Sequence, residues 1–504
     1  MTISPAQLLP ADKRAEARAA HAARTGRGSW LTLGIGLALF AGCLAGLFTS
    51  PTPQIAGMWC IAMMLILLFL AVPAAIALAV PSLIGVYALS GIPATVNILS
   101  TSPFHSVSQW SYSVLPMFIF MGMLLTQSGL TSKIYRAADH WFSWLPGGIG
   151  IGTTAAGAGL SSVSGSTIGM TYALGRAGIP EMLRAGYNRR VAVGTVIVAG
   201  LPGNLIPPSI LLVVYAGIAS VPVGPQLIAG TLPGILLAVT FAVFIFLLGL
   251  FAPALVGKGR DTGAEAVAST WRDRFRSLGD IWGFPLILIV LFGGMFSGAF
   301  TPTEAGAAAA FAALLLCLLY TRRDKPLTRV GQAAISTVSA TAAIFFIMIG
   351  AEMLTKLLAI TGLAPMITGF ITDLGLSRIS FLLVLVVIYL IMGMFFDTLS
   401  MMLLTIPILL PTLDAMDVSA LWFGVFVVLL GELGMITPPV GILSYIVHNI
   451  AKAPEVNLGH TITLKDVFTA LLWFLPIAVL FLALMILFPE MATWLPAQMN
   501  PTGG

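Results

Sequence analysis

Long apolar runs dominate this chain, and they are continuous rather than alternating. Runs near 30–50, 56–80, 226–251, 281–298, 304–321 and 467–488 approach the roughly 20 residues an α-helix needs to cross bilayer hydrocarbon, so they predict transmembrane helices. A membrane β-barrel would alternate polar and apolar positions, which these runs do not do. Other apolar segments are shorter or interrupted. Two interruptions are paired prolines, in GNLIPPSI from Gly203 and in GMITPPVGI from Gly434. Proline removes a backbone donor and its ring clashes with the preceding turn, so each pair predicts a break inside an otherwise helical segment. Polar backbone facing lipid is too costly to persist, and such a break survives only where protein or a cavity covers it.

Charge then orients the chain. Hydrophobic residues make up 58% of the 504 and charged residues only 9%, which excludes an ordinary soluble domain. With the basic tail of Lys13, Arg14, Arg18, Arg24 and Arg27 placed in the cytoplasm, all the other lysines and arginines except Lys356 and Arg378 fall on that same side. The net charge of +5 therefore reflects membrane orientation and gives no support to nucleic-acid binding. This assignment requires two segments that enter the membrane and turn back. The first, about 147–180, enters from the cytoplasm with SSVSGS (161–166) at its turn; the second, about 378–411, enters from the opposite side with GMFFDT (393–398) at its turn. Segments 131–145 and 362–377 are amphipathic and predict interfacial arms beside the two hairpins.

The chain also repeats itself. A shift of 231 residues places Pro180 on Pro411, Gly200 on Gly431, Gly203 on Gly434, Pro207 on Pro438 and Pro208 on Pro439, and it sets Ser166 and Thr167 on Asp397 and Thr398 at the hairpin turns. An odd number of crossings separates the two copies, so they have opposite orientation, the inverted-repeat plan of secondary transporters. The resulting fold class is an all-α polytopic membrane protein with inverted repeats, each carrying a re-entrant helical hairpin and a broken transmembrane helix. The expected organisation is a basic tail over 1–28, an extra N-terminal span over 29–55, a first repeat over 56–225 with its broken helix about 191–217, connecting scaffold helices over 226–330, a second repeat over 331–450 with its broken helix about 419–447, and a C-terminal helix and periplasmic tail over 451–504.

Candidate chemistry gathers at the breaks. A broken helix frees carbonyls at the end of one half and presents amides at the start of the next, and hard cations such as sodium prefer oxygen ligands. Ser161, Ser162, Ser164, Ser166 and Thr167, with Asn204 and Ser209, offer a neutral hydrogen-bonding pocket on one side. Asp397, Thr398, Ser400, Glu432 and Thr437 stand opposite. An ionisable group at membrane depth points to function. Asp397, on a hairpin turn, is the stronger candidate, whereas Glu432 reads equally as an accessory acid or as a tie between helices. TPTEA (301–305) reads as a capping box that starts a helix. Cys43, Cys60 and Cys317 have no metal or disulfide spacing and read as packing residues. No phosphate loop and no GxSxG elbow is present, so neither nucleotide-driven transport nor an enzyme is indicated.

SSVSGS, GNLIPPSI, SGAFTPTEAGA, GMFFDT and GELGMITPPVGI, in this order over about 56–490, resemble the large membrane (M) subunit of tripartite ATP-independent periplasmic (TRAP) transporters, within the ion transporter superfamily. The resemblance implies an elevator-type transport domain moving against a scaffold, Na+ as coupling ion, a small four-helix TRAP membrane subunit and a periplasmic substrate-binding protein as partners, and import of an organic acid across the bacterial inner membrane, with the N-terminus cytoplasmic and the C-terminus periplasmic. By motif position it implies a first sodium site at Ser161, Ser164, Gly203 and Asn204, and a second at Gly393, Asp397, Thr398, Gly434 and Thr437. Substrate would lie between the turns, against Ser164, Ser166, Asn204, Pro207, Pro208, Ser209, Asp397, Thr398, Pro438 and Pro439. The sequence departs from the family pattern where an acid common after the first SGS is replaced by Met170, and where an asparagine common before the second Pro-Pro is replaced by Leu430. The alternative is a stand-alone sodium/carboxylate symporter of the same superfamily without a binding protein.

Overall fold

The computed structural model describes residues 33–257 and 270–498. The expected basic tail at 1–28, residues 29–32 of the first span, part of the loop at 258–269 and the last tail residues, 499–504, lie outside the described residues. Apart from an isolated bridge between Tyr187 and Val256, the described chain is helical. The helices, in order, are α1 (Leu33–Phe48), α2 (Pro53–Phe69), α3 (Ala74–Val107), α4 (Val114–Gln127), α5 (Leu130–Phe142), α6 (Gly148–Ser164), α7 (Thr167–Arg184), α8 (Arg189–Ala199), α9 (Ile210–Ile218), α10 (Val223–Phe251), α11 (Trp271–Asp280) and α12 (Gly283–Leu288). They continue with α13 (Gly294–Phe296), α14 (Pro302–Tyr320), α15 (Pro326–Thr361), α16 (Leu363–Asp373), α17 (Arg378–Gly393), α18 (Thr398–Ala415), α19 (Ala420–Ile436), α20 (Ile442–Ile450), α21 (Pro454–Asn457), α22 (Leu464–Leu487) and α23 (Glu490–Ala497). Six of these, α3, α10, α14, α15, α18 and α22, are long and apolar enough to cross a membrane. This is a multi-pass membrane protein.

One expected span is corrected. The run 56–80 is not a single helix: α2 ends at Phe69, Ala71 takes a left-handed φ of 58°, and α3 begins at Ala74. Pro73 explains the break, because it offers no N–H to continue the α2 ladder yet starts a new helix readily. Within 281–298 the helical path from α12 to α13 passes through a π turn at Ile289–Gly293. TPTEA does form a capping box: Thr301 caps α14, its N–H donating to Glu304 Oε2 at 2.8 Å.

The described chain divides into two compact units. One holds residues 33–103 with Ile349–Leu363, where small residues let helices approach closely. Gly57 lies against Thr361, Gly85 against the Cys60 thiol and Leu357, and Gly350 against the Ala75 carbonyl. The second holds Phe104–Met348 with residues 364–498, and it contains both predicted hairpins and both predicted broken helices. Its core is α8 and α19. Every residue of α8 from Val191 to Ala199, and of α19 from Trp422 to Ile436, is buried. A helix apolar on all sides has no solvent or lipid face and belongs in the middle of a bundle. Polar anchors fix α19 there: Tyr215 Oη donates to the Ala420 carbonyl at 2.7 Å, and Trp422 Nε1 to the Met485 carbonyl at 3.1 Å.

Candidate functional site

At both predicted hairpin turns one helix ends and another starts within a few residues, and the new helix is capped in the same way. In the first, α6 ends at Ser164, Gly165 takes a left-handed φ of 61°, and Ser166 caps α7 by accepting from the Gly169 N–H at 3.2 Å. In the second, α17 ends at Gly393 and Asp397 caps α18, accepting from the Ser400 N–H at 3.1 Å and the Ser400 hydroxyl at 2.5 Å. An oxygen at the N-cap satisfies one of the amides that a helix start leaves unpaired. Ser166 and Asp397, matched in the 231-residue shift, thus do the same backbone task, and both are exposed.

Both helices also break where the prolines predict. After α8, a 3-10 turn at Pro202–Asn204 leads through Pro207 and Pro208 to α9, capped by the Ser209 hydroxyl accepting from the Leu212 N–H at 3.3 Å. After α19, Thr437, Pro438 and Pro439 lead to α20. The bonds Pro207-Pro208 and Pro438-Pro439 are both cis. Pro207 and Pro208 are buried, whereas Pro438 is half-buried and Pro439 exposed, so the second break is the more open of the two. Thr437 keeps its hydroxyl on the helix, donating to the Leu433 carbonyl at 2.6 Å.

Similar contacts occur in the two halves. A Cβ at Gly200 would stand 3.1 Å from Thr167 Cγ2 and run into Met170, and a Cβ at Gly431 would stand 2.4 Å from Thr398 Cγ2 and 2.9 Å from Met401 Cε. Each of these pairs is related by the same 231-residue shift. Met170, where the family pattern suggested an acid, is thereby a buried packing residue. Further along, a Cβ at Gly203 would lie 2.3 Å from Ser161 Cβ and 2.6 Å from the Ala158 carbonyl. In the other half, a Cβ at Gly393 would lie 2.6 Å from Gly434 Cα. In both halves, therefore, the C-terminal end of a hairpin helix is pressed against the interrupted helix close to its C-terminal end, at a distance only glycine allows. Helix C-termini carry unpaired carbonyls and the negative end of the dipole, so two of them side by side make an oxygen-rich, cation-favouring place.

The polar side chains complete one connected cluster. Asn204, on the first break, accepts from the Ser161 hydroxyl at 3.1 Å and donates through Nδ2 to Glu432 Oε1 at 2.8 Å and to Thr167 Oγ1 at 2.5 Å. Thr167 donates to Glu432 Oε2 at 2.7 Å, and Thr398 donates to Glu432 Oε1 at 3.2 Å. All five residues are buried. Ser161, Asn204, Thr398 and Glu432, expected from the sequence to serve a site, are thus brought together. Asp397 does not hydrogen-bond into this cluster; both of its oxygens face Ser400. The backbone of Ser164 ends α6, and its side chain lies outside what is described. Thr167, absent from the expected sodium and substrate sets, is central. Its match to Thr398 in the shifted register was the signal that marked it.

Two surface concavities lie elsewhere. One of about 350 Å³ borders Tyr320, Arg322 and Arg323, and one of about 120 Å³ is lined in part by Lys133, Arg136, His140 and Arg276. Neither includes a hairpin-tip residue, and the second also carries Asp273 and Asp280 among its basic lining.

Comparison with known proteins gives one consistent answer. Residues 61–491 match the family model "Tripartite ATP-independent periplasmic transporter, DctM component". The chain is 31% identical over 405 residues to the C4-dicarboxylate TRAP transporter large permease protein DctM of Pseudomonas aeruginosa, an alignment covering 80% of this chain and 90% of that one. It is 28% identical to the sialic acid TRAP transporter large permease protein SiaM of Vibrio cholerae, over 80% of this chain and 90% of that one. It is 30% identical to the ectoine/5-hydroxyectoine permease UehC of Ruegeria pomeroyi, over 82% and 96%. Among solved structures, the YdaH transporter of Alcanivorax borkumensis shares the fold, with a TM-score of 0.58 at 17% identity, covering 88% of this chain and 100% of that one.

Proposed function

Since this chain belongs to the DctM component family of tripartite ATP-independent periplasmic transporters, we propose that it is the large permease subunit of a sodium-coupled importer of a small organic acid. It is a transporter subunit and not an enzyme. The observation that carries the mechanism is the pairing of helix ends, Ser161 with Gly203 in one half and Gly393 with Gly434 in the other. Each pair gathers carbonyls where a hard cation binds well, which supports one sodium site at Ser161, Ser164, Gly203 and Asn204 and a second at Gly393, Asp397, Thr398, Gly434 and Thr437. The helix starts at Thr167, Thr398, Ile210 and Ile442 present the opposite polarity. Unpaired amides and the positive dipole end suit a carboxylate, so substrate binds between the turns, against Ser164, Ser166, Ser209, Asp397, Pro207, Pro208, Pro438 and Pro439.

The two repeats, read as inverted, form the transport domain of an elevator in the bacterial inner membrane, with the N-terminus cytoplasmic. A small four-helix membrane subunit and a periplasmic binding protein complete the assembly. Relatives named as C4-dicarboxylate, sialic acid and ectoine/5-hydroxyectoine TRAP transporter large permeases support the tripartite reading over a stand-alone symporter. The test is uptake into liposomes holding this chain with its small subunit, using labelled C4-dicarboxylates and sialic acid with an added binding protein. Accumulation should require both an inward sodium gradient and the binding protein. Equal uptake with choline replacing sodium sinks the coupling; full uptake without the binding protein sinks the tripartite assembly.

A further inference from the structure

The two halves match in backbone but not in the side chains that join them. In the 231-residue register Asn204 falls on Met435 and Glu432 falls on Leu201, so each half supplies one polar group the other lacks. Both are buried, and they hydrogen-bond to each other at 2.8 Å. Glu432 is where four elements meet: its own helix α19, the start of α7 through Thr167, the first break through Asn204, and the start of α18 through Thr398. All of these bonds end on the one carboxyl, so a single side chain ties the four elements together. Asn204 is oriented by both neighbours, because a flipped amide would set its oxygen against the carboxylate and lose the Ser161 donor.

From this geometry we infer that Glu432 is a positioning residue whose carboxyl holds both ion half-sites at once, so that a cation ordering one half pre-arranges the other and raises its affinity. The inference rests on the sodium-coupled reading above. Glu432 lies one hydrogen bond from Asn204 and Thr398, members of the first and second half-sites, and hence acts on both. Asp397, which hydrogen-bonds only within the start of α18, belongs to one half alone.

The test is sodium-induced thermal stabilisation of the purified full-length chain with its small subunit, titrating NaCl against choline chloride at constant ionic strength. The wild-type curve should be steeper than a single-site isotherm. Glu432→Gln should raise the half-saturating sodium concentration at least tenfold and reduce the curve to single-site steepness. Asp397→Asn should weaken sodium binding while leaving Glu432 to couple the remaining interactions, with a smaller shift than Glu432→Gln. A wild type indifferent to sodium overturns the sodium reading and this inference with it. A cooperative wild type whose Glu432→Gln variant keeps the same midpoint and steepness overturns this inference alone. If the glutamine variant is not recovered folded, Thr167→Val and Thr398→Val each remove one donor from a different half. Sodium affinity losses that differ in the double variant from the sum of the singles support coupling, and strictly additive losses overturn it.

Discussion

Gly434→Ala tests the contact on which the second half-site stands. The new methyl would lie 2.5 Å from Gly393 Cα, 3.1 Å from Gly393 carbonyl carbon and 3.2 Å from the Tyr389 carbonyl oxygen. Carbon atoms rest at roughly 3.5–4.0 Å, so α17 and α19 must part by about 1 Å, and the obstruction is backbone that no rotamer change can clear. Overpacking of this kind costs about 1–3 kcal/mol. At about 1.4 kcal/mol per tenfold, this corresponds to a loss of roughly fivefold to a hundredfold in affinity for whatever the paired helix ends bind. The assay is sodium-dependent uptake into liposomes together with the sodium titration of thermal stability. The half-saturating sodium concentration should rise by that factor while the protein remains monodisperse. Gly393→Ala, which would meet Gly434 Cα at 2.6 Å, should behave alike. Gly331→Ala is the control: nothing lies within 4 Å of its added carbon, so stability should hold or rise slightly. Wild-type sodium dependence in both Gly434→Ala and Gly393→Ala would refute the argument that this close approach builds the site.

Three further outcomes follow from the structure. Asp397→Ala should abolish uptake and lower stability by about 1 kcal/mol through the lost cap, whereas Asp397→Ser, with the cap Ser166 uses in the other half, should restore stability but not uptake; uptake recovered in the serine variant would reduce Asp397 to a cap. Asp466→Asn should lower the melting temperature without changing sodium dependence. The Asp466 carboxyl is buried between Arg189 and Arg190 at 3.3 and 3.0 Å and also accepts from Thr463, the N-cap of α22, in a capping box, although the half-exposed arginines limit the loss to about 1–2 kcal/mol. Thr301→Ala should destabilise by about 1 kcal/mol by opening the α14 capping box, with transport per folded molecule unchanged; a changed sodium midpoint would show that TPTEA does more than start a helix.

Much of this architecture could be read from the chain because local chemistry writes it. Pro-Pro breaks a helix wherever it stands, Gly165 turns a hairpin because it adopts a left-handed φ freely, and Ser166 and Asp397 start helices because their oxygens reach nearby amides. The helix pairs at 148–184 and 378–415 therefore start and turn where these residues stand. The run 56–80 reads as one span, because hydropathy summed over its length does not register one proline and one left-handed alanine.

What the sequence determined by itself was the all-helical membrane character and where capping residues and paired prolines start and break helices. What only tertiary structure decided was which polar groups meet. Asp397, on an exposed turn, looked the better acid, yet it spends both oxygens on its own helix, while Glu432, equally readable as a structural tie, gathers donors from positions 34, 228 and 265 residues away. Sequence spacing carries no information about such partners. They are fixed by the packing of two buried helices against two hairpin tips, where a polar group without a partner is too costly to leave.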